Sequence, residues 1–181
     1  AFGSKVGIQL SHGGRKAADA LQPIGPSAVG YSKEYQVPKE MTLDDIQRVQ
    51  SAFVSAARRA QDAGYDMIEI HGAHGYLVNE FLEPLTNLRS DEYGGTLEKR
   101  FRFLKEIIEG VKTVFRGPIW VRLSATCQMA RGTWGGLFRY FYGWFDGCEA
   151  RYSYLWRLSS YIFSTNQTSS LHSSNSSWFV T

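Results

Sequence analysis

The chain has 181 residues and a formal net charge of +3, with acids and bases interspersed and no block of like sign. That pattern argues against a nucleic-acid surface or a polybasic membrane face, and no run reaches the roughly 18 apolar residues of a membrane span, so a cytoplasmic protein is expected. A complete eight-fold α/β barrel takes about 250 residues, so a barrel here would be partial; the start at Ala1, with neither an initiating Met nor a secretory leader, reads as internal.

Val6 to Leu10 is an apolar run broken by one polar residue, as expected of a buried parallel strand, and Ser11-His12-Gly13-Gly14 ends it in a glycine-rich turn. Leu21 to Lys39 carries Pro23, Gly25, Pro26, Gly30 and Pro38, too many breakers for a regular element, and reads as loop. Thr42 then supplies an N-cap, with Asp44 and Asp45 in the first turn where the helix dipole favours negative charge. Ile46, Val49, Phe53, Ala56 or Ala57, and Ala60 form one apolar stripe along this helix, and Gly64 closes it.

Tyr65 to Ile70 predicts a second buried strand with His71-Gly72-Ala73-His74 at its carboxyl end. After a long connection, Thr96 caps a second helix whose stripe is Phe101, Leu104, Ile107 or Ile108, Val111 and Val114; Gly117-Pro118 stops it, and Ile119 to Leu123 gives a third strand. Strands alternating with helices of this length predict parallel βαβ units and an α/β fold, with the doubly wound sheet and the barrel both open. No Gly-x-Gly-x-x-Gly follows a strand and no Walker-type loop is present, which lowers the nucleotide-binding doubly wound alternative.

The text changes near residue 125. Up to Ala125 the chain holds 16 basic and 15 acidic residues; from Thr126 onward it has no Lys, six charged residues and 14 of the 26 aromatics. Cys127 and Cys148 fit neither a zinc ribbon nor a redox pair, and a Ser/Thr/Asn tract from Ser164 to Ser177 has no helical or strand period. The expected division is therefore 1–125, globular, and 126–181, an aberrant or disordered tail. The tail reads as a frame-shifted or mis-spliced translation, with a genuine appended segment as the alternative.

In parallel α/β folds, reacting groups gather at the carboxyl ends of the strands. Here those ends offer Gln9 and His12, then Glu69, His71, His74 and Tyr76, then Arg122 and Ser124. Each such group needs a partner if buried, and a bound polar ligand would provide one. His71-x-x-His74 has three readings: a zinc pair, for which no third ligand is evident; structural histidines bonded to nearby loops; or donors to an oxygen of a ligand.

A resemblance narrows this. Ile8-Gln9-Leu10-Ser11-His12-Gly13-Gly14-Arg15-Lys16-Ala17, Gly25-Pro26-Ser27-Ala28 and Pro38-Lys39-Glu40-Met41-Thr42 resemble the Old Yellow Enzyme family. So does the longer text from Asp66 through Glu69-Ile70-His71-Gly72-Ala73-His74-Gly75-Tyr76, then Arg89-Ser90-Asp91-Glu92-Tyr93-Gly94-Gly95, to Val121-Arg122-Leu123-Ser124-Ala125. The resemblance covers about 125 residues.

It implies a partial TIM (β/α)8 barrel, roughly its third to fifth strands, that binds FMN at the carboxyl face. NADPH or NADH would be the reductant and a small-molecule alkene of the enone type the substrate, with no metal and an open oligomeric state. By resemblance Gln9 pairs with the flavin pyrimidine edge, and Arg122 stands near flavin N1 and O2, with an ion pair to Glu69 as its alternative. His71 and His74 would bond the substrate carbonyl, and Tyr76 would give a proton to the α carbon, ordinary packing being the other reading of that tyrosine. Arg15 and Lys16 are expected to be structural and His12 a loop anchor. Half a barrel leaves open edges, so weak FMN binding or none by this chain alone is expected, and a truncated product with no activity is the competing reading. A dienoyl-CoA-reductase-like flavin barrel is a third.

Overall fold

The computed structural model describes residues 3–124 and 153–158. Strand β1 (Gly7–Leu10) leads into a 3-10 turn (Gly14–Lys16), and two short strands, β2 (Ile24–Gly25) and β3 (Lys39–Glu40), follow. Then come α1 (Leu43–Asp62), β4 (Met67–Gly72), α2 (Leu77–Leu82), α3 (Leu97–Lys112), β5 (Ile119–Ser124) and β6 (Ser153–Leu158). The main sheet has the order β1-β4-β5-β6.

Helix α1 begins where its chemistry places it. Thr42 accepts from the Asp45 backbone N–H at 3.1 Å while Asp45 accepts from the Thr42 backbone N–H at 3.1 Å, a reciprocal capping box that satisfies two otherwise orphaned donors. Ile46, Val49, Phe53, Ala57 and Ala60 are its buried face, and Gly64, at φ +80°, ends it. Thr96 caps α3 with its side chain alone, accepting from the Lys99 N–H. The two helices pack side by side at Gly110, where an added Cβ would lie 2.6 Å from Val54. Gln50 also reaches across to Glu106 at 2.7 Å.

β1, β4 and β5 pair in parallel, with Ile8, Ile68 and Ile119 in one row and Leu10, Ile70 and Val121 in another. These apolar rows join the α1 and α3 stripes in one core. Strands that neighbour each other in chain order, with successive helices packed together, make a singly wound arrangement; a doubly wound sheet would reverse its strand order. The fold is a partial (β/α)8 barrel.

Three expectations need correction. The second strand runs 67–72 rather than 65–70. Tyr65 still bonds back to the Ala60 carbonyl as the end of the helix turn, and pairing of His71 with Arg122 and Gly72 with Leu123 carries the strand further. The proline-rich loop from Leu21 to Lys39 contains the small β2–β3 ladder at its ends. Helix α2 was not foreseen, because all six of its residues, including Asn79 and Glu80, are buried and leave no amphipathic contrast to read. Within 126–181 the described residues are 153–158, which pair antiparallel with β5, where a complete barrel continues in parallel. The remainder of the tail assignment, with Cys127 and Cys148, lies outside the described residues.

Candidate active site at the carboxyl end of the sheet

Side chains alternate across a strand, so register fixes which residues share a face. Gln9 pairs with Glu69 and Glu69 with Trp120, while His71 pairs with Arg122. All five therefore stand on the sheet face opposite the helices, in two adjacent rows. Gln9 Nε2 donates to Glu69 Oε1 across the β1–β4 pair.

His71 is 3% exposed, and its Nδ1 is buried without a hydrogen-bond partner. Burial first, then the His74 ring and the Arg122 guanidinium, push its pKa down to about 4, so the ring is neutral at pH 7. The His74 ring centroid lies 4.9 Å from that of His71 and the Tyr76 ring 5.1 Å from it, both edge-on. Burial, Arg122 and Lys16 hold His74 below the ordinary histidine range as well. Two neutral imidazoles and a phenol converge here, a set able to donate to an oxygen and deliver a proton.

The turn that gathers them is constrained. His74 has φ +60° and Gly75 φ +71°, consecutive left-handed residues that swing the chain from β4 into α2. His74 N–H donates to Ser124 Oγ at 3.0 Å, and Gly75 N–H to Asn79 Oδ1 at 2.7 Å. Tyr76 is the N-cap residue of α2. Thus β4 supplies His71, the turn supplies His74 and Tyr76, and β1 and β5 supply Gln9 and Arg122. The structure brings the five sequence-nominated residues to one end of one sheet face.

His12 Nδ1 accepts from the Gly14 N–H at 3.1 Å and its carbonyl accepts from the Leu77 N–H at 3.1 Å, as a loop anchor does. Arg100 donates to the carbonyls of Leu82 and Gly95, tying the 91–95 turn to α2 through its backbone. Arg89, buried, holds Asp91 and donates to the Pro26 and Met41 carbonyls. Sequence reasoning missed Glu80, which is 1% exposed and accepts from the Arg15 N–H at 2.9 Å. Burial pushes its pKa up to about 7, against the pull of that hydrogen bond and of the Arg15 and Lys16 charges. Gly14 and Gly25 lie against it, since a Cβ added at either would fall within 2.9 Å of its carboxylate, a closeness that no local pattern in the sequence announces. Among the described residues, no group of three or more His, Cys, Asp or Glu could hold a metal ion, and no helix is long and apolar enough to cross a membrane.

Residues 1–159 match the sequence model of the NADH:flavin oxidoreductase / NADH oxidase family. The chain is 56% identical over 124 residues to an NADPH dehydrogenase of Geobacillus sp. (strain WCH70), covering 68% of this chain and 36% of the relative. It is 52% identical over 131 residues to an NADPH dehydrogenase of Bacillus licheniformis, covering 72% of this chain and 39% of the relative. The chain thus spans little more than a third of these relatives. Among solved structures, morphinone reductase in complex with tetrahydroNAD superposes with a TM-score of 0.58 at 34% identity, over 62% of this chain and 37% of the other. The Old Yellow Enzyme homologue of Zymomonas mobilis gives 0.57 at 39%, over 62% and 35%.

Proposed function

We propose, since this chain belongs to the NADH:flavin oxidoreductase / NADH oxidase family, that its sheet face seats FMN and that the His71, His74 and Tyr76 cluster serves reduction of an enone-type C=C bond. One observation carries the reading: the His74 and Tyr76 rings each lie within 5.1 Å of the His71 ring at the carboxyl end of β4, on a face that also presents Gln9 and Arg122. The residues fit such a cofactor, because the face is polar where a packed barrel interior is apolar, and the buried His71 Nδ1 has an open hydrogen-bonding position.

FMN, when bound, supplies the hydride that it has taken from NADPH or NADH. Gln9 offers one donor and one acceptor to the edge of a pyrimidine-like ring, and Arg122 offers a fixed cation to a ring that gains negative charge. The neutral imidazoles of His71 and His74 donate to the carbonyl oxygen of the substrate, drawing electron density toward it as the β carbon accepts hydride. Tyr76 would give its phenolic proton to the α carbon, so that one hydride and one proton together saturate the C=C bond and leave a neutral ketone, and the tyrosinate regains its proton from solvent.

The test is to mix the purified chain with FMN and watch for a shifted yellow absorbance and quenched flavin fluorescence, then to follow NADPH oxidation with cyclohexenone. Free-flavin spectra at saturating protein would end the reading. The antiparallel β6, unlike the continuation a barrel requires, favours a second reading in which this chain is a product without activity of its own. Spectral binding of FMN separates the two.

A further inference from the structure

We infer that Lys16 is a positioning residue that clamps the His74 peptide in its left-handed conformation and so aims the His74 ring beside His71. The inference rests on the reading of His74 as a donor to substrate. Residues other than glycine seldom adopt φ near +60°, histidine more readily than most, and the structure shows the contacts that hold His74 there. Lys16 Nζ donates to the His74 carbonyl at 2.7 Å, on the opposite side of the residue from the Ser124 hydroxyl that accepts its N–H. Asn79 holds the next N–H, and an added Cβ at Gly75 would sit 3.4 Å from both Lys16 Cε and Nζ, so the ammonium lies directly against this turn.

Lys16 is itself held. Its ammonium lies 4.1 Å from the ring centroid of Tyr31 and 5.8 Å from that of Tyr76, a cation–π seat that restricts a flexible side chain. The 3-10 turn that carries it is tied to α2 by the Arg15 N–H donating to the buried carboxylate of Glu80 and by the Leu77 N–H donating to the His12 carbonyl. The chain of contact therefore runs from Glu80 on α2, through the turn after β1, to the peptide of His74 after β4. The charged and titratable groups that face His74 are Lys16 from that turn, Arg122 from β5 and His71 from β4. A salt bridge was not needed to place Lys16, which donates to a backbone carbonyl and leaves its charge acting on the imidazole.

Lys16→Met keeps the length of the side chain and removes donor and charge; Lys16→Arg restores both. Long-range proton–nitrogen spectra of the four histidine rings, with His74 assigned by His74→Gln, give its titration midpoint, and amide exchange gives the opening of the turn. Lys16→Met is expected to raise the His74 midpoint and to speed exchange of the Gly75 amide about tenfold, with Lys16→Arg returning both toward the parent. Should Lys16→Met not yield folded chain, Lys16→Gln, a shorter neutral donor, is read in its place and is expected to move both quantities the same way. Unchanged midpoint and exchange in the folded variant overturn the clamp. Failure of the parent chain to bind FMN would instead strike the functional reading, leaving the spectra of the variants to decide the clamp on their own.

Discussion

The two faces of the parallel sheet are built on opposite terms. Toward the helices stand Leu10, Ile68, Ile70, Ile119, Val121 and Leu123, all buried in one core with α1 and α3. Toward the other side stand Gln9, Glu69, His71, Trp120 and Arg122, where His71 Nδ1 and Trp120 Nε1 are buried without hydrogen-bond partners. The first face gains free energy by leaving water. The second gives some up, since a buried polar atom left unpaired costs about 1–3 kcal/mol.

If that division is right, substitutions on the two sides separate stability from chemistry. The largest expected effect is on the helix side. Phe103, stacked on Phe81 with centroids 4.1 Å apart, is expected to cost about 3–5 kcal/mol as Phe103→Ala, read as a lower urea midpoint. On the other side, Tyr76→Phe is expected to lower enone turnover by about 100-fold while leaving the urea midpoint in place. A drop in stability instead would return Tyr76 to packing.

His71→Leu sharpens the contrast further, because it deletes an unpaired buried nitrogen. Stability is expected to hold or to rise by about 1 kcal/mol, with binding of the enone lost; a large destabilisation would mean that His71 belongs to the fold.

Acid and base test the same division through protons. The His71 pKa lies near 4 in the fold and about 6.5 in an unfolded chain, so the unfolded state takes up its proton first. This contribution favours the fold above about pH 6.5 and is lost as pH falls toward 4. Glu80 has the opposite sign: its folded pKa near 7 exceeds the ordinary glutamate value of 4.5. Its contribution is present below pH 4.5 and lost as pH rises through 7. Denaturation midpoints measured from pH 4 to 8 should flatten on the alkaline side in Glu80→Gln and on the acid side in His71→Leu. The smallest expected effect is Thr42→Ala, which removes one half of the capping box at about 1 kcal/mol by thermal unfolding and leaves the polar face unaltered.

Much of this was legible in the chain. The α1 cap and stripe, the Thr96 cap of α3 and the third strand follow from local rules that act within a few residues. The five site residues were nominated by their places at strand ends and by resemblance, and they do meet at one end of the sheet. Phe103 lies off the stripe that Phe101 begins because it faces α2, a helix with no periodic signal of its own. Glu80 gives no such signal, because a carboxylate in a six-residue buried helix looks, in sequence, like a solvated one.

What the sequence determined by itself is the set of elements whose signals are local: caps, apolar stripes and glycine stops, each satisfied by neighbours three or four residues away. What tertiary structure decided is everything that depends on register and on contacts across the chain. Pairing of His71 with Arg122 chose the face they share, and the reach of Lys16 to His74, 58 residues away, braces the turn from another part of the chain. Such groups find their partners only after the strands have come together, so no short window of residues could announce them.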